Sequence, residues 1–210
     1  IPCNSCMNIP SFSISGLPRI VFGDGVISRV PALAGEFGNQ ALLLTGARSF
    51  VQSAHWVTLT QDLKTAGISY EHTTIDGEPS PELADELAAR FRKDNIEVVI
   101  GIGGGSVMDA AKAVAGLLRI ENSVMDYLEG VGPELPYPGP EVPLIAVPTT
   151  AGTGSEATKN AVLSRPGPDG FKKSFRHEKL VPKYAAVDPE LLAGCPKHLI
   201  AANGMDAFTQ

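Results

Sequence analysis

The chain has few cysteines, no cluster of lysine or arginine, and no apolar run approaching the ~18 residues of a membrane span. Each absence removes a class of function. The three cysteines are Cys3, Cys6 and Cys195. Cys3 and Cys6 have C-x-x-C spacing, but a structural zinc site needs four ligands and no second pair exists. A thioredoxin-like motif follows a strand and opens a helix, whereas this pair sits in a Pro- and Asn-bearing N-terminal tail, residues 1–10. The tail reads as a leader outside the fold, and Cys195 as a small apolar residue near a domain junction. A net charge of −6 with no basic patch argues against nucleic acid or an anionic membrane as the main partner. No signal-peptide pattern is present, so a cytoplasmic protein is expected.

What the chain does have is VVIGIGGGSVMD, from Val98 to Asp109. A β-branched apolar run ends in Gly101, Gly103, Gly104 and Gly105, and Ser106 then opens a helix. Glycines at such a turn leave no Cβ between the backbone N–H groups and a ligand. Ser106 and Asp109 match the S-x-x-D form of a capping box. A strand, a bare turn and a helix N-terminus together favour an anion, because free N–H groups and the helix dipole both attract negative charge. A phosphate or pyrophosphate fits best. The competing reading is that the helix merely packs close to its strand. No Lys follows the glycines, which excludes a Walker A loop. Ser106 stands where G-x-G-x-x-G wants its third glycine, and the loop follows several strands where a dinucleotide fingerprint normally follows the first. The layout is that of a phosphate site, but an uncommon one.

Around this loop the chain alternates strands and helices. Phe12–Ile14 and Arg19–Phe22 flank Gly16 and Pro18 like a short edge hairpin. Val26–Glu36 reads as a helix interrupted by Pro31, Ala41–Thr45 as a strand, and Ala54–Ala66 as a helix stopped by Gly67. Ile68–Ile75 is a strand. Ser80 caps a helix with Pro81 at its first position and Leu83, Leu87 and Phe91 on its apolar face. After the glycine turn, Val107, Ala110, Ala111, Val114 and Leu118 form one helical stripe. This alternation predicts right-handed βαβ units, a parallel sheet and an α/β fold.

Two further segments carry chemistry. A Pro- and Gly-rich surface loop, residues 130–143, leads to the strand Leu144–Val147, which ends in PTTAGTGSEAT, from Pro148 to Thr158. Thr149, Thr150, Thr153 and Ser155 can donate hydrogen bonds to phosphate or ribose from the sheet edge where open α/β folds bind ligands. The alternative is a polar turn of no special role. Near the end, Val187-Asp188-Pro189 closes a strand, a helix begins near His198, and Asp206 projects from an otherwise small and apolar stretch, where it wants a cation, a partner or water.

In this order and spacing, GIGGGSVMDAAK, PTTAGTGSEAT and NGMDAFTQ resemble the iron-containing (group III) alcohol dehydrogenases, over nearly the whole chain from about Phe12 to Gln210. The resemblance implies a Rossmann-like α/β domain over residues 11–195, a parallel sheet flanked by helices. It implies the start of an all-helical domain over 196–210. It implies NAD(P) as cofactor, with Gly104, Gly105 and Ser106 at the pyrophosphate and Thr149, Thr150 and Thr153 at phosphate and nicotinamide ribose. Asn160 and Val162 would line the far side and Lys172 would lie near the ribose. Asp206 matches the family's first metal ligand, for Fe²⁺ or Zn²⁺.

Two positions depart from that pattern. The second metal ligand is usually a His four residues after the Asp, and here it is Gln210; His55, His72, His177 and His198 sit in no ligand motif and read as surface or packing residues. A lone Asp with a Gln is a poor site for metals that favour imidazole. At the first βα turn, NAD-selective members often carry an Asp where this chain has Gly46. A glycine there neither bonds a ribose 2′-OH nor repels a 2′-phosphate, and Arg48 lies close by, so NADP is admissible; Arg48 can equally be a solvated surface charge. The expected activity is hydride transfer between the nicotinamide and an alcohol, aldehyde or ketone, with a homodimer through the N-terminal edge strand. Two alternatives stand beside it: a metal-independent reductase like maleylacetate reductase, and a nucleotide-binding module without catalysis.

Overall fold

The computed structural model describes residue 11 and residues 16–209. The cysteine pair and the strand expected at Phe12–Ile14 lie outside the described residues. In chain order the elements are β1 (Arg19–Phe22), α1 (Val30–Gly35), β2 (Gln40–Gly46), α2 (Ala54–Thr65), β3 (Ser69–Ile75), α3 (Pro81–Phe91) and β4 (Val98–Gly103). There follow α4 (Gly105–Leu117), β5 (Leu144–Pro148), β6 (Asn160–Arg165), β7 (Phe171–Arg176), β8 (Tyr184–Val187) and α5 (Lys197–Thr209).

Six strands make one parallel sheet in the order β1-β8-β5-β4-β2-β3. A parallel strand covered on both faces reads as a continuous apolar run, because each face meets its own helices. Alternation along β2 divides the core accordingly: Leu43 packs with Val30, Leu59 and Leu63 from α1 and α2, while Leu42 and Leu44 pack with Leu87, Phe91 and Val114 from α3 and α4. Gly101 and Gly103 let α4 lie close on β4: a Cβ on Gly101 would stand 2.8 Å from Ala111 Cβ, and one on Gly103 would stand 2.5 Å from Val107 Cγ2. For these two glycines the packing reading is the right one.

Several local expectations change. Arg19–Phe22 is an edge strand, but it pairs parallel with Tyr184–Val187 and so is no half of a hairpin on that side. The segment expected as one helix from Val26 divides into a 3-10 turn at Val26–Arg29 and α1, with Pro31 in the first turn, where its missing N–H costs nothing. The Ser106–Asp109 capping box does not form. Helix α4 starts one residue earlier, with Gly104 as a cap that offers no side chain, and Asp109 is engaged elsewhere. The Ser80 cap does form, its Oγ accepting from the Leu83 N–H at 3.2 Å.

An antiparallel hairpin, β6–β7, stands apart from the main sheet. Its inner face, Ala161, Leu163 and Phe175, packs with Ala113 and Leu117 of α4 and with Leu128 and Tyr137. Buried Asp188, just past β8, accepts from the N–H groups of Gly25, Ile27 and Glu190, and so ties the β1–α1 turn to the end of β8. Among the described residues, no helix is long and apolar enough to cross a membrane.

Candidate functional site: a cleft at the carboxyl edge of the sheet

β4 and β5 run side by side, with Gly103 opposite Pro148, and both leave the sheet at its carboxyl edge. The loops that follow are joined at the start: the Thr149 N–H donates to the Gly103 carbonyl at 2.9 Å. α4 begins directly after Gly104, so the N–H groups of Gly105 and Ser106 belong to a first turn with no intrahelical acceptor. The glycine turn then abuts the threonine loop. A Cβ on Gly104 would stand 3.2 Å from Thr150 Oγ1, and one on Gly105 would stand 3.1 Å from Thr153 Cγ2. Gly104 itself is extended, at φ −79° and ψ −172°, so close approach and not backbone conformation is what asks for glycine there.

These loops form one side of a cleft of about 700 Å³. Gly105, Ser106, Thr153, Asn160, Val162, Lys172 and Asp206, all singled out from the sequence, line it together. Asn160 and Val162 come from β6 and form the far wall; the Asn160 side-chain oxygen is buried without a hydrogen-bond partner. Lys172, on β7, reaches the mouth, where its Nζ pairs with Glu78 Oε1 at 2.7 Å, and Ser164 donates to the other Glu78 oxygen at 2.6 Å. These two bonds hold the Glu78 carboxyl below its usual range. Thr149 and Thr150 are half-buried beside the turn and not on the cleft lining. Gly46 also lies off the lining. It closes β2, the next strand from β4 in the sheet, and a Cβ there would meet no atom within 4 Å.

Asp206 reaches the cleft because α5 crosses the threonine loop at Gly152. That residue has φ +95°, and a Cβ on it would stand 2.7 Å from the Asn203 carbonyl and 2.9 Å from Asp206 Oδ2. Among the described residues there is no group of three His, Cys, Asp or Glu side chains placed to hold a metal. His72 contacts Thr45 Oγ1 at 2.9 Å and lies 4.6 Å from the Trp56 ring, and burial lowers its pKa. His177 accepts from the Lys179 N–H and packs against Tyr137. Neither is near Asp206 in role. Among the described residues, the side chains present do not make an iron or zinc site.

One group went unread in the sequence. Lys112, fully buried in α4, donates to Ser155 Oγ at 2.9 Å, Thr158 Oγ1 at 2.9 Å and the Asn160 carbonyl at 2.8 Å, with Asp109 Oδ1 at 3.8 Å. Burial pulls its pKa down to about 8, against the pull of Asp109 and Glu156. Burial likewise raises Asp109, which the Ser155 hydroxyl (2.7 Å) and Lys112 oppose. Ser155 therefore spends its proton inward on Asp109 and has none for a ligand, a correction to its expected role. The i, i+3 spacing of Asp109 and Lys112 was a legible signal. It is a weak one, because a lysine on a helix is ordinarily a solvated charge.

A family comparison decides what kind of chain this is. The sequence model described as iron-containing alcohol dehydrogenase matches residues 18–189. The chain belongs to the iron-containing alcohol dehydrogenase family. Among its relatives, the probable alcohol dehydrogenase EutG of Escherichia coli is 34% identical over 202 residues, covering 96% of this chain and 49% of EutG. Of solved structures, the NADH-dependent butanol dehydrogenase A of Thermotoga maritima superposes with TM-score 0.83 at 28% identity, covering 95% of this chain and 49% of that one. The sulfoacetaldehyde reductase of Bifidobacterium kashiwanohense, solved in complex with NAD+, superposes with TM-score 0.79 at 32% identity, over 94% of this chain and 51% of that one. The chain spans about half the length of the relatives it matches. The chain holds the Rossmann-like sheet and the cleft along its carboxyl edge.

Proposed function

We propose that the full-length protein is an NAD(P)-dependent oxidoreductase moving a hydride between the nicotinamide and a small alcohol, aldehyde or ketone. The observation that carries this reading is convergence. The first turn of α4 with its unpartnered N–H groups, Thr153, Asn160 and Lys172, whose ammonium pairs with Glu78 at the mouth, all line one cleft. That set suits a dinucleotide, with anion donors at one end and hydrogen-bonding groups along the walls. Gly104, Gly105 and Ser106 would receive the pyrophosphate, Thr149, Thr150 and Thr153 the phosphate and ribose hydroxyls, and Lys172 the nicotinamide ribose, with Asn160 and Val162 against the ring side. When bound, the nicotinamide supplies the hydride acceptor. The chain's own part is to hold the ring in one orientation and to exclude water around it. No step is assigned to a metal, since Asp206 is the sole candidate ligand among the described residues.

Cofactor choice follows from Gly46. With no acidic side chain at the end of β2 and exposed Arg48 two residues on, β2 itself offers a 2′-phosphate no repulsion, which favours NADP as well as NAD. α5 has no buried residue and exposes Ile200, Met205 and Phe208, which suits the first helix of an all-helical domain. β1 is a sheet edge with Ile20 56% and Phe22 71% exposed, which suits pairing with a second copy. The deciding experiment titrates the full-length protein with NADH and NADPH and assays oxidation of a primary alcohol series with both oxidised cofactors. Binding of neither nucleotide overturns the proposal.

A further inference from the structure

We infer that Glu78 and Lys172 form a diol grip at the mouth of the cleft: the carboxylate accepts from one ribose hydroxyl while the ammonium donates to its neighbour. The inference rests on the dinucleotide reading of the cleft and adds to it a residue, Glu78, that neither the glycine turn nor the threonine loop supplies. Alternation along β6 puts Asn160, Val162 and Ser164 on the cleft face, because Ala161 and Leu163 are buried on the other. Lys172 stands directly opposite Ser164 in the hairpin ladder, so the two side chains share that face. Glu78 bridges this cross-strand pair, with Oε1 on the Lys172 ammonium at 2.7 Å and Oε2 on the Ser164 hydroxyl at 2.6 Å.

The backbone on either side holds Glu78 in place. It sits on the loop between β3 and α3, just before buried Pro79, whose carbonyl accepts from the Ser164 N–H at 2.9 Å. Ser80 then caps α3 and fixes the loop from its far end. The pairing leaves both charged groups with capacity to spare. Each carboxylate oxygen has two lone pairs and takes one bond here, and the ammonium has three protons and gives one to Glu78. The Lys172 and Glu78 side chains are 60% and 55% exposed and both line the cleft, so a ligand can reach them. The bond from Lys172, then that from Ser164, keeps the Glu78 carboxyl ionised and purely an acceptor at neutral pH.

A lone lysine at a cleft mouth attracts any anion, whereas one already neutralised by a carboxylate does not. What suits the pair is a neutral group that donates at one atom and accepts at the next. Vicinal hydroxyls do both: one O–H donates to the carboxylate, and the adjacent oxygen accepts from the ammonium. The 2′- and 3′-hydroxyls of a ribose are such a pair, and carboxylates bind ribose hydroxyls in other dinucleotide folds. There the acidic side chain follows the second strand, the position that Gly46 holds in this chain. Glu78 instead reaches in from the loop after β3 and works beside Lys172, which puts the grip on the nicotinamide ribose.

The test is a thermodynamic cycle in the full-length protein. Isothermal titration of the unaltered protein, Glu78→Ala and Glu78→Gln uses NADH and two analogues, one lacking the hydroxyls of the nicotinamide ribose and one lacking those of the adenosine ribose. Glu78→Ala is expected to weaken NADH binding roughly tenfold, the loss of a hydrogen bond to a charged group. Glu78→Gln keeps one acceptor oxygen and should lose less; being isosteric, it reads the same coupling even if Glu78→Ala fails to fold. The loss should vanish for the analogue without nicotinamide-ribose hydroxyls and persist for the other. Equal losses on all three ligands, or tighter binding by Glu78→Ala, would make the carboxylate a mere partner of Lys172 and overturn the inference. A loss that vanishes only with the adenosine-side analogue keeps the diol grip and overturns the placement of Lys172 beside the nicotinamide ribose. Absence of NADH and NADPH binding in the unaltered protein strikes the dinucleotide reading itself.

Discussion

Gly104 and Thr150 stand so close that a Cβ on the glycine would lie 3.2 Å from the threonine Oγ1 and 3.4 Å from its Cγ2. The glycine turn and the threonine loop are thus one surface built from two βα connections. A side chain at Gly104 would enter the threonine loop before it entered the cleft.

Gly104→Val should therefore weaken nucleotide binding by displacing Thr150 and, with it, the line of hydroxyls beside α4. A loss of about tenfold or more is expected, the size of a mispositioned binding group. Isothermal titration with NADH and NADPH checks it. Unchanged affinity for both would remove the pyrophosphate from this turn.

Gly101 offers the contrasting case. Its Cβ would stand 2.8 Å from Ala111 Cβ, deep beneath α4 and away from the cleft. Gly101→Ala should cost roughly 1–3 kcal/mol of stability through overpacking. Nucleotide affinity, measured well below the melting transition, should hold. Loss of affinity without loss of stability would show that this glycine also serves the ligand.

Cofactor preference is open to a single substitution. Gly46→Asp adds a carboxylate at the end of β2, where no neighbouring atom crowds it. NADPH affinity should fall by roughly tenfold more than NADH affinity, through repulsion of the 2′-phosphate across a partly screened distance. Equal losses, or an untouched NADPH constant, would place the adenosine ribose elsewhere.

The 210-residue chain should retain no stoichiometric iron or zinc after dialysis against a mild chelator. Asp206 brings one carboxylate, and among the described residues no cluster of three ligand side chains surrounds it. Such an ion would keep mostly water in its shell. Elemental analysis decides the matter, with Asp206→Ala as the control expected to abolish any residual binding. Metal retained at stoichiometry and lost in that variant would reveal ligands beyond Asp206.

The alternation of apolar strands and helices was legible from the sequence alone, because burial on both faces of a parallel sheet leaves continuous runs such as Leu42–Leu44 and Val98–Ile102. So was one side of the cleft, Gly105, Ser106 and Thr153, because small hydroxyl and glycine residues following strands gather at one edge, whereas Asn160, Val162, Lys172 and Asp206 were indicated only by the resemblance to the family. The sequence equally marked Gly67 and Ser80–Pro81 as helix boundaries, where local backbone chemistry decides. Tertiary structure alone decided the rest. It made Gly101 and Gly103 packing residues and left the approach to the ligand to Gly104 and Gly105, a division that depends on which atoms lie opposite each Cα. It turned Ser155 inward and left Ser106 without a capping role. It also buried Lys112, whose three acceptors lie 43, 46 and 48 residues away along the chain. No local pattern encodes contacts at that separation. They exist only once α4, the threonine loop and the β6–β7 hairpin have packed together, and a charge enters such a core only where the packing has already gathered oxygens to meet it.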